Sequence, residues 1–475
     1  MAETLAPDIC VIGGGPGGLS VAAAAAAFGV PTVLVERRKM GGDCLNTGCV
    51  PSKALLAAAK RAMATRKAGV FGLDVPNIGV NFAKVHDRVH TVIAAVAPTD
   101  SAERFTGLGV RVIHDHAKFK DRKTVMAGDV EIRARRFVIA TGSAPAVPPI
   151  PGLDSGPFLT HESIFDLKER PEHLIIIGAG PVGLEMAQAF RRLGSSVTVL
   201  EAVRPLANDD PECVAVLLVC LEREGVVIRS GLNVIGIAYA GATVTATIEA
   251  GGAEQTITGS HLLIATGRRP MIDGLDLDAA GIRYDHSGIV VNRKLKTSNR
   301  RVYAIGDCAA GHPPLTHVAN YHAGLFIRNA LFRLPVRVNN NVVPWATFTD
   351  PELAHTGLTE AQARARRIKI RIARWPYNDN DRAQTEGDTR GHIKIITTRK
   401  GKIVGATIVG AQAGELIAMW TLAIAQGLNI RVVTDLVLPY PTLSELGKRA
   451  AIDFFTPSLT SPWVRRIIGW MRIFG

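Results

Sequence analysis

Short, unbroken apolar runs followed by glycine-rich turns recur in the first half of the chain. The first run covers residues 9–12 and the second covers residues 174–177. Each is followed by a helical stretch and then by another apolar run, at residues 32–35 and 197–200. Apolar runs of this length, bounded by turns, are typical of strands buried in a parallel sheet. The pattern therefore predicts two strand–loop–helix–strand units.

Both loops have the Gly-x-Gly-x-x-Gly spacing of a dinucleotide fingerprint, with an acid about twenty residues later. The first glycine permits a tight turn, the second lets the backbone approach a pyrophosphate, and the third lets helix pack closely on strand. The acid accepts hydrogen bonds from a ribose. One such loop alone is often only a glycine-rich turn, whereas two complete copies predict two bound dinucleotides. The predicted residues are Gly13, Gly15, Gly18 and Glu36 in the first copy and Gly178, Gly180, Gly183 and Glu201 in the second.

Three further apolar strands end on residues suited to a nucleotide site. Two of them end in Ala-Thr-Gly, at Gly142 and Gly267, and the third ends at Asp307. The proline-rich stretch 146–152 indicates a hinge between a first and a second domain.

The glycine motifs stop near residue 343. Alternating stretches at 391–397 and 403–409, with a helical segment at 413–427, predict a separate α+β domain. The predicted fold is α/β, with two doubly wound nucleotide-binding domains followed by an α+β domain. The predicted segments are 1–148 and 271–342 for the first dinucleotide, 149–270 for the second, 343–460 for the α+β domain and 461–475 as a basic amphipathic tail.

Length, charge and hydropathy narrow the class of protein. A chain of 475 residues suits two or three domains. The net charge of +13 would suit nucleic acid, but the basic residues are scattered and no aromatic-interleaved basic module occurs. We therefore expect no nucleic-acid partner. The first residues lack the basic region of a signal peptide, and no apolar run is long enough to span a bilayer, so we expect a cytoplasmic protein.

Two of the six cysteines stand apart from the others. Cys44 and Cys49 lie five residues apart among glycine and polar residues at the start of a helical stretch. They can close a small loop, and the helix dipole stabilises a thiolate there. A metal site would need further ligands, which no nearby residue supplies, and core thiols would have apolar neighbours. The pair predicts a redox centre and no metal site. The other four cysteines have apolar neighbours and are expected in the core: Cys10, Cys213, Cys220 and Cys308.

With these motifs, nearly the whole chain resembles the flavin-dependent pyridine nucleotide–disulfide oxidoreductases. That family (class I) includes dihydrolipoamide dehydrogenase, glutathione reductase and mercuric reductase. The resemblance rests on both glycine loops, the segment 41–53, the segment 304–309 and the segment 348–360. It implies a homodimer that binds FAD at the first loop, within 1–148 and 271–342, and NAD(P)H at the second, within 149–270. It also implies that the α+β domain 343–460 is a dimerisation domain. Electrons would pass through FAD to a Cys44–Cys49 disulfide, and then to an external disulfide or a thiol-binding metal ion.

The resemblance also implies roles for individual residues. Cys49 would lie against the flavin and Cys44 would exchange with the acceptor. Lys53 would pair with Glu185 near the flavin, where a buried lysine needs an acidic partner. Asp307 would bind the ribityl chain. The remaining implied contacts are Ala117, Gly142, Thr316 and His317 for FAD, and Val234 and Gly267 for NAD.

The acid of the second loop bears on the choice of nicotinamide cofactor. The Glu201 carboxylate suits a free 2′-hydroxyl and repels a 2′-phosphate, although Arg204 lies close in sequence. We expect NADH to be preferred over NADPH.

The chain departs from the family near residue 440. Dihydrolipoamide dehydrogenases and glutathione reductases have a His-Pro-Thr motif followed by Ser-Glu, and the histidine acts as acid–base for the exchanging thiol. Here the stretch runs from Tyr440 to Glu445, with tyrosine replacing the histidine. A phenol with a pKa of about 10 is a poor base near neutrality, so handling of a dithiol substrate should be impaired.

Mercuric reductases also carry a tyrosine at this position, together with a cysteine pair near the C-terminus. This chain has no cysteine after Cys308. Two alternatives therefore accompany the disulfide reductase: a metal-ion reductase without that second pair, or a flavin redox sensor that does not turn over. An NADH oxidase is a weaker alternative, because the cysteine pair would then be superfluous.

The last fifteen residues combine arginines with tryptophans and isoleucines. In a helix, Arg465 and Arg472 would share one face. One interpretation is contact with a membrane surface. The favoured interpretation is a helix packed on its own domain or at the dimer interface.

Overall fold

The chain forms two compact units in the computed structural model, which describes residues 3–456 and 461–473. The first unit comprises residues 1–202 and 227–340, and the second comprises residues 203–226 and 341–475. The finer segment boundaries given above stay a prediction.

A five-stranded parallel sheet lies at the centre of the first unit. Every residue of its middle strand, Ile9–Ile12, is buried. Helices Pro16–Ala27 and Thr316–Ala330 pack on one face of this sheet through a shared apolar cluster. Because both faces are covered, the strand needs apolar residues at every position, which explains its unbroken run. The strand order is Val302–Ala304, Arg136–Ile139, Ile9–Ile12, Thr32–Val35 and Arg111–Ile113.

A smaller, four-stranded sheet contributes to the apolar cluster on the opposite face. Phe119, Val125 and Ile132 are buried there against Cys10 and Ile12. Its strand order is Thr4–Leu5, Val130–Ile132, Thr124–Ala127 and Ala117–Asp121.

The second glycine loop belongs to a separate four-stranded sheet of the first unit. Its strand His173–Ile177 pairs in parallel with Ser196–Glu201 on one side and with His261–Ile264 on the other. Val226–Ser230 forms the far edge, and helix Pro181–Arg192 follows the loop. A three-stranded antiparallel sheet completes this part: Asn233–Ala240, Thr243–Ala250 and Ala253–Gly259.

Two short strands run side by side where the chain leaves the first nucleotide sheet and returns to it. Ser143–Pro145 pairs with Arg268–Pro270, and Arg269 lies opposite Ala144. The pairing places Arg268 beside the carboxyl ends of the first sheet. The other elements of this unit are the hairpin Tyr284–Asp285 with Gly288–Ile289, and the helices Gly42–Asn46, Cys49–Arg66, Phe82–Val96 and Ala102–Gly107.

The second unit is built on a five-stranded antiparallel sheet. The predicted strands near 391–397 and 403–409 are its neighbouring strands His392–Thr398 and Ile403–Gly410. The predicted helix is Ala413–Ala425, whose Trp420 is buried in the core. The strand order is Trp345–Thr347, Glu352–Gly357, Ile403–Gly410, His392–Thr398 and Ile370–Pro376. The other helices are Pro211–Arg223, Glu360–Ala365, Asp381–Glu386, Arg431–Thr434, Glu445–Asp453 and Pro462–Met471.

The helix Pro462–Met471 contains no buried residue. The favoured interpretation, a helix packed on its own domain or at a dimer interface, stays a prediction. Across residues 3–456 and 461–473, no helix combines the length and the apolar character needed to cross a bilayer.

Lys394 is a buried cation at the centre of the second unit. Its side chain is 3% exposed, and its Nζ lies 2.8 Å from Asp210, 2.9 Å from Glu212 and 2.8 Å from Glu360. Burial lowers the pKa of Lys394, but the hydrogen bonds to Asp210, Glu360 and Glu212 outweigh it and hold the pKa above its usual value. The ammonium thus stays charged and neutralises a group of carboxylates that would otherwise repel one another.

Replacing Lys394 by methionine should lower the free energy of unfolding of the second unit by about 3–5 kcal/mol, because a buried acid loses its counter-ion. Urea unfolding followed by tryptophan fluorescence reports this directly, since all five tryptophans lie after residue 340. The matched control is Arg364→Ala, which removes a largely exposed partner of Glu360 and should cost less than about 1 kcal/mol. Equal losses in the two variants would contradict the assigned role of Lys394.

Candidate active site

The first glycine of each fingerprint loop lies against a neighbouring strand end. Gly13 has a φ of +113°, and a Cβ atom there would lie 2.4 Å from the carbonyl oxygen of Ala140. Gly178 repeats this geometry, with a φ of +107° and the same distance to the carbonyl oxygen of Ala265. No other residue type fits these two positions, so both turns depend on glycine.

The second glycine of each loop faces open space. A Cβ atom on Gly15 would meet nothing closer than 3.8 Å, and one on Gly180 would meet nothing within 4 Å. A pyrophosphate can therefore approach the backbone at the start of the helix that follows. The third glycines, Gly18 and Gly183, lie so close to the loop that a Cβ atom would be about 2 Å from a carbonyl oxygen.

Each predicted ribose-binding acid is fixed by its own loop. Glu36 accepts hydrogen bonds from the backbone N–H groups of Gly14 and Arg38. Glu201 accepts one from the N–H of Ala179, at 2.7 Å. The two carboxylates thus hold equivalent positions at the ends of equivalent strands.

A cavity of about 620 Å³ opens at the carboxyl ends of the first sheet. Its volume is that of a site for a small molecule or cofactor. The cavity brings together residues predicted from distant parts of the sequence: Gly13, Gly15, Glu36, Cys44, Ala117, Gly142, Asp307 and Thr316. The residues present therefore fit an extended nucleotide with a negatively charged pyrophosphate and a ribose.

The predicted NAD-contact residues lie outside this cavity lining. Val234 is in the strand Asn233–Ala240, beside the second nucleotide sheet. Gly267 has a φ of +130° and open space around its Cα, immediately before Arg268.

Arg268 is a central residue of the site that the sequence analysis missed. Its guanidinium donates to Asp43 Oδ2 at 2.7 Å and to Ser143 Oγ at 2.7 Å, and its Nη1 lies 2.9 Å from His161 Nε2. Ser143 Oγ in turn donates to Asp307 Oδ2 at 2.6 Å. One cation therefore connects the redox segment with the predicted ribityl-binding acid.

The two acids of this network have opposite pKa shifts. Burial raises the pKa of Asp43, but the hydrogen bond to His161 and the charge of Arg268 outweigh it and hold the pKa well below its usual value. Burial raises the pKa of Asp307, and the hydrogen bond from Ser143 only partly opposes this. Asp43 is thus a firmly ionised carboxylate one residue before Cys44. The signal in the sequence that could have identified Asp43 is its position directly before Cys44.

Cys44 and Cys49 lie at the junction of two helices, Gly42–Asn46 and Cys49–Arg66, and both are free thiols in this structure. A hydrogen bond from Cys44, a second from Thr316 and the charge of Lys53 outweigh the effect of burial and lower the pKa of Cys49 to about 6. The same bond to Cys49, together with burial, raises the pKa of Cys44. Near neutral pH the pair therefore holds one thiolate, at Cys49, and one thiol, at Cys44.

Thr316, through a hydrogen bond, and Lys53, through its charge, both stabilise the Cys49 thiolate. Thr316 Oγ1 lies 3.2 Å from Cys49 Sγ, at the start of the helix that also carries His317. Lys53 Nζ lies 2.8 Å from Glu185 Oε2, and the Glu185 side chain is 5% exposed. The structure thus brings together Lys53 and Glu185, although 132 positions separate them in sequence.

His322 is a second buried residue that the sequence analysis missed. Its Nδ1 accepts a hydrogen bond from the backbone N–H of Gly306, the residue before Asp307. Burial and the nearby His312 lower the pKa of His322 to about 3, so the ring is neutral and can accept that bond. His322 therefore fixes the loop that presents Asp307.

Tyr440 and Glu445 belong to the second unit. The Tyr440 hydroxyl donates a hydrogen bond to Asp381 Oδ2 at 2.7 Å, and this bond raises the pKa of Tyr440. The side chain is exposed in this chain, and Glu445 begins the helix Glu445–Asp453. Near neutral pH an even smaller fraction of Tyr440 is therefore phenolate than in an ordinary tyrosine, so little of it can accept a proton.

Comparison with known proteins gives two family matches. The profile described as "Pyridine nucleotide-disulphide oxidoreductase" matches residues 7–323, and the profile for the dimerisation domain of the same family matches residues 343–451. A mercuric reductase from Streptomyces lividans is 36% identical over 94% of this chain and 96% of its own. A dihydrolipoyl dehydrogenase from Thermus scotoductus is 35% identical over 92% of this chain and 95% of its own.

Two solved structures superimpose on nearly the whole chain. LpdA from Mycobacterium tuberculosis superimposes with a TM-score of 0.86 at 27% identity, over 95% of this chain and 99% of that one. The Cu(II) complex of the HOCl-induced flavoprotein disulfide reductase RclA from Escherichia coli superimposes with a TM-score of 0.84 at 26% identity, over 97% and 100%. The predicted fold class is confirmed by these matches.

Replacing Cys44 by alanine should raise the pKa of Cys49 above its value of about 6, because the hydrogen bond from Cys44 is the largest cause of the shift. The pH dependence of alkylation by iodoacetamide in the reduced protein measures this: the rate rises with the thiolate fraction, through pH 6 in the parent and at higher pH in the variant. Cys49→Ser is the control and should remove the low-pH reaction. An alkylation profile unchanged by Cys44→Ala would exclude the assigned thiol–thiolate pair.

Proposed function

Because this chain belongs to the pyridine nucleotide-disulphide oxidoreductase family, we propose that it uses NADH to reduce a small disulfide or a thiol-binding metal ion through Cys44 and Cys49. At the level of the class, the chain is a flavoprotein oxidoreductase that binds FAD and NAD(P). The proposal rests above all on the Cys49 thiolate, which is paired with a protonated Cys44 beside the nucleotide cavity.

The first loop and the cavity fit FAD. When bound, FAD supplies two-electron transfer from a reduced nicotinamide to the cysteine pair. Glu36 would bind the adenosine ribose, Gly13 and Gly15 the pyrophosphate, and Asp307 the ribityl chain. Arg268, through Ser143, and His322, through the backbone of Gly306, would keep Asp307 in place. Lys53, paired with Glu185, would place a positive charge beside the thiolate.

The two thiols have different tasks in the proposed reaction. Cys44 loses its proton, attacks a disulfide acceptor and releases the first product thiolate, and the Cys49 thiolate then attacks Cys44 and releases the second as the Cys44–Cys49 disulfide closes. The pair thus loses two electrons and the one proton of Cys44, and that proton and a second one from solvent convert the two products to thiols. With a metal ion, the same two electrons reduce one ion by two electrons or two ions by one electron each, and the one proton of Cys44 is released.

Because the pKa of Tyr440 is raised, the site is better suited to acceptors that carry no proton to be removed during the reaction. Oxidising a dithiol substrate requires a base near Cys44, and a phenol whose pKa is raised by Asp381 is unsuited to that role. A disulfide or a thiol-binding metal ion carries no proton that must be removed, so Cys44 is the one group that has to lose a proton. The dimerisation domain supports a homodimer, in which residue 440 of one subunit would serve the cysteine pair of the other.

The acceptor is tested by anaerobic NADH-driven reduction of lipoamide, Hg(II) and Cu(II) by the FAD-loaded enzyme. We expect turnover with at least one of these acceptors and its loss, by at least about 100-fold, in Cys44→Ser. Cys220→Ala removes a buried thiol far along the sequence and serves as the control. Unchanged turnover in Cys44→Ser would contradict the thiol route and indicate direct reduction by the flavin.

Tyr440→His should raise the oxidation of dihydrolipoamide by at least about 10-fold near neutral pH, since a general base of suitable pKa typically contributes 10²–10⁴-fold. Tyr440→Phe is the matched control and should give no gain. No gain with histidine would show that residue 440 does not serve the cysteine pair.

NADH should be preferred over NADPH by at least about 10-fold, because the Glu201 carboxylate held by Ala179 repels a 2′-phosphate. Glu201→Ala should narrow this ratio mainly through a lower KM for NADPH. The exposed acid Glu254 provides a control substitution to alanine. An equal preference for both cofactors in the parent enzyme would overturn the assignment.

A further inference from the structure

The helix Pro462–Met471 begins at a position that its own sequence specifies. The Ser461 side chain accepts a hydrogen bond from the backbone N–H of Val464, and Pro462 occupies the first turn. Serine at the cap and proline at the first helical position are both favourable at a helix start. The start of the helix is therefore specified by its own sequence.

The apolar residues of this helix form one continuous face. At roughly 100° per residue, the side chains follow one another around the axis over an arc of about 160°. The order around the arc is Trp470, Trp463, Ile467, Met471, Val464 and Ile468.

This face is exposed to solvent. Trp463 is 71% exposed, Ile468 51% and Met471 59%. An exposed face that holds two tryptophans on so short a helix marks an interaction surface.

Arginines border the apolar face on both sides. Arg466 lies next to Trp470 at one edge, and Arg465 and Arg472 lie next to Ile468 at the other. No aspartate or glutamate occurs after Asp453, so the charged side chains of residues 454–475 are all arginines. The partner that complements this helix is therefore apolar inside and negatively charged at its surface.

We propose that Pro462–Met471 is an interfacial helix that binds the surface of a bilayer containing anionic phospholipid. The helix would lie in the plane of the surface, with its tryptophans and isoleucines at the boundary of the acyl chains. The arginines on both edges would reach outward to the lipid phosphates. This role would hold the enzyme at a membrane surface, and it does not depend on which acceptor the enzyme reduces.

Co-sedimentation of the FAD-loaded enzyme with vesicles tests the proposal. We expect binding to vesicles of phosphatidylcholine with phosphatidylglycerol, weakening in high salt, and little binding to phosphatidylcholine alone. Replacing Arg465, Arg466 and Arg472 by glutamine should weaken binding by about 100-fold. The double variant Trp463→Ser with Trp470→Ser should lose it. Val437→Ser, which alters a residue that is 96% exposed elsewhere in the same unit, is the matched control and should bind like the parent.

All of these variants should keep NADH-driven acceptor reduction, which shows that they are folded. Analytical ultracentrifugation tests the alternative that a second copy of the chain covers the apolar face. If the tryptophan variants change the oligomeric state while the parent ignores anionic vesicles, the helix covers a second copy of the chain and the proposal is wrong. Equal binding of the parent and the tryptophan variants to vesicles would also overturn it.

Discussion

The guanidinium of Arg268 lies between the carboxylates of Asp43 and Asp307, and it connects the segment of the cysteine pair with the rest of the nucleotide cavity. Asp43 precedes Cys44 directly, and its negative charge raises the pKa of both cysteines. Arg268 and His161 bind that carboxylate, so its field at Cys49 is offset. Lys53, the hydrogen bond from Cys44 and the hydrogen bond with Thr316 then suffice to keep Cys49 as a thiolate. The position of Arg268 follows from two short strands, which shows how the backbone crossing between the nucleotide sheets serves the redox centre.

The parts of the site predicted from the sequence are those whose residues are close along the chain. The glycine loops, their acids and the cysteine pair each lie within one strand–turn–helix segment, where spacing alone fixes geometry. The Lys53–Glu185 pair joins segments 132 positions apart and was expected only because the chain resembles a known family. The place of Tyr440 in the family motif is predicted in the same way, but no pattern in the sequence indicates that Asp381 accepts its hydrogen bond.

The network around Arg268 could not be predicted from spacing. It joins Asp43, His161 and Arg268, which come from three separate segments, and none of these segments has a pattern that identifies its partner. Lys394 is a similar case. Lys394 lies in a strand whose alternating pattern is equally compatible with an exposed lysine. The fold shows that three carboxylates surround its side chain. Buried charges of this kind arise from tertiary packing, which a hydrophobic pattern does not record.

The division of the chain into two units has a consequence for where a domain can be cut. The dimerisation profile covers residues 343–451, and that stretch looks self-contained on the sequence. The second unit also contains residues 203–226, which bring Asp210 and Glu212 to Lys394. A fragment starting at residue 341 would leave that lysine with Glu360 as its remaining carboxylate among the three described here. The physical domain is therefore discontinuous in sequence, and a single cut in the gene would separate a buried cation from most of its counter-charge.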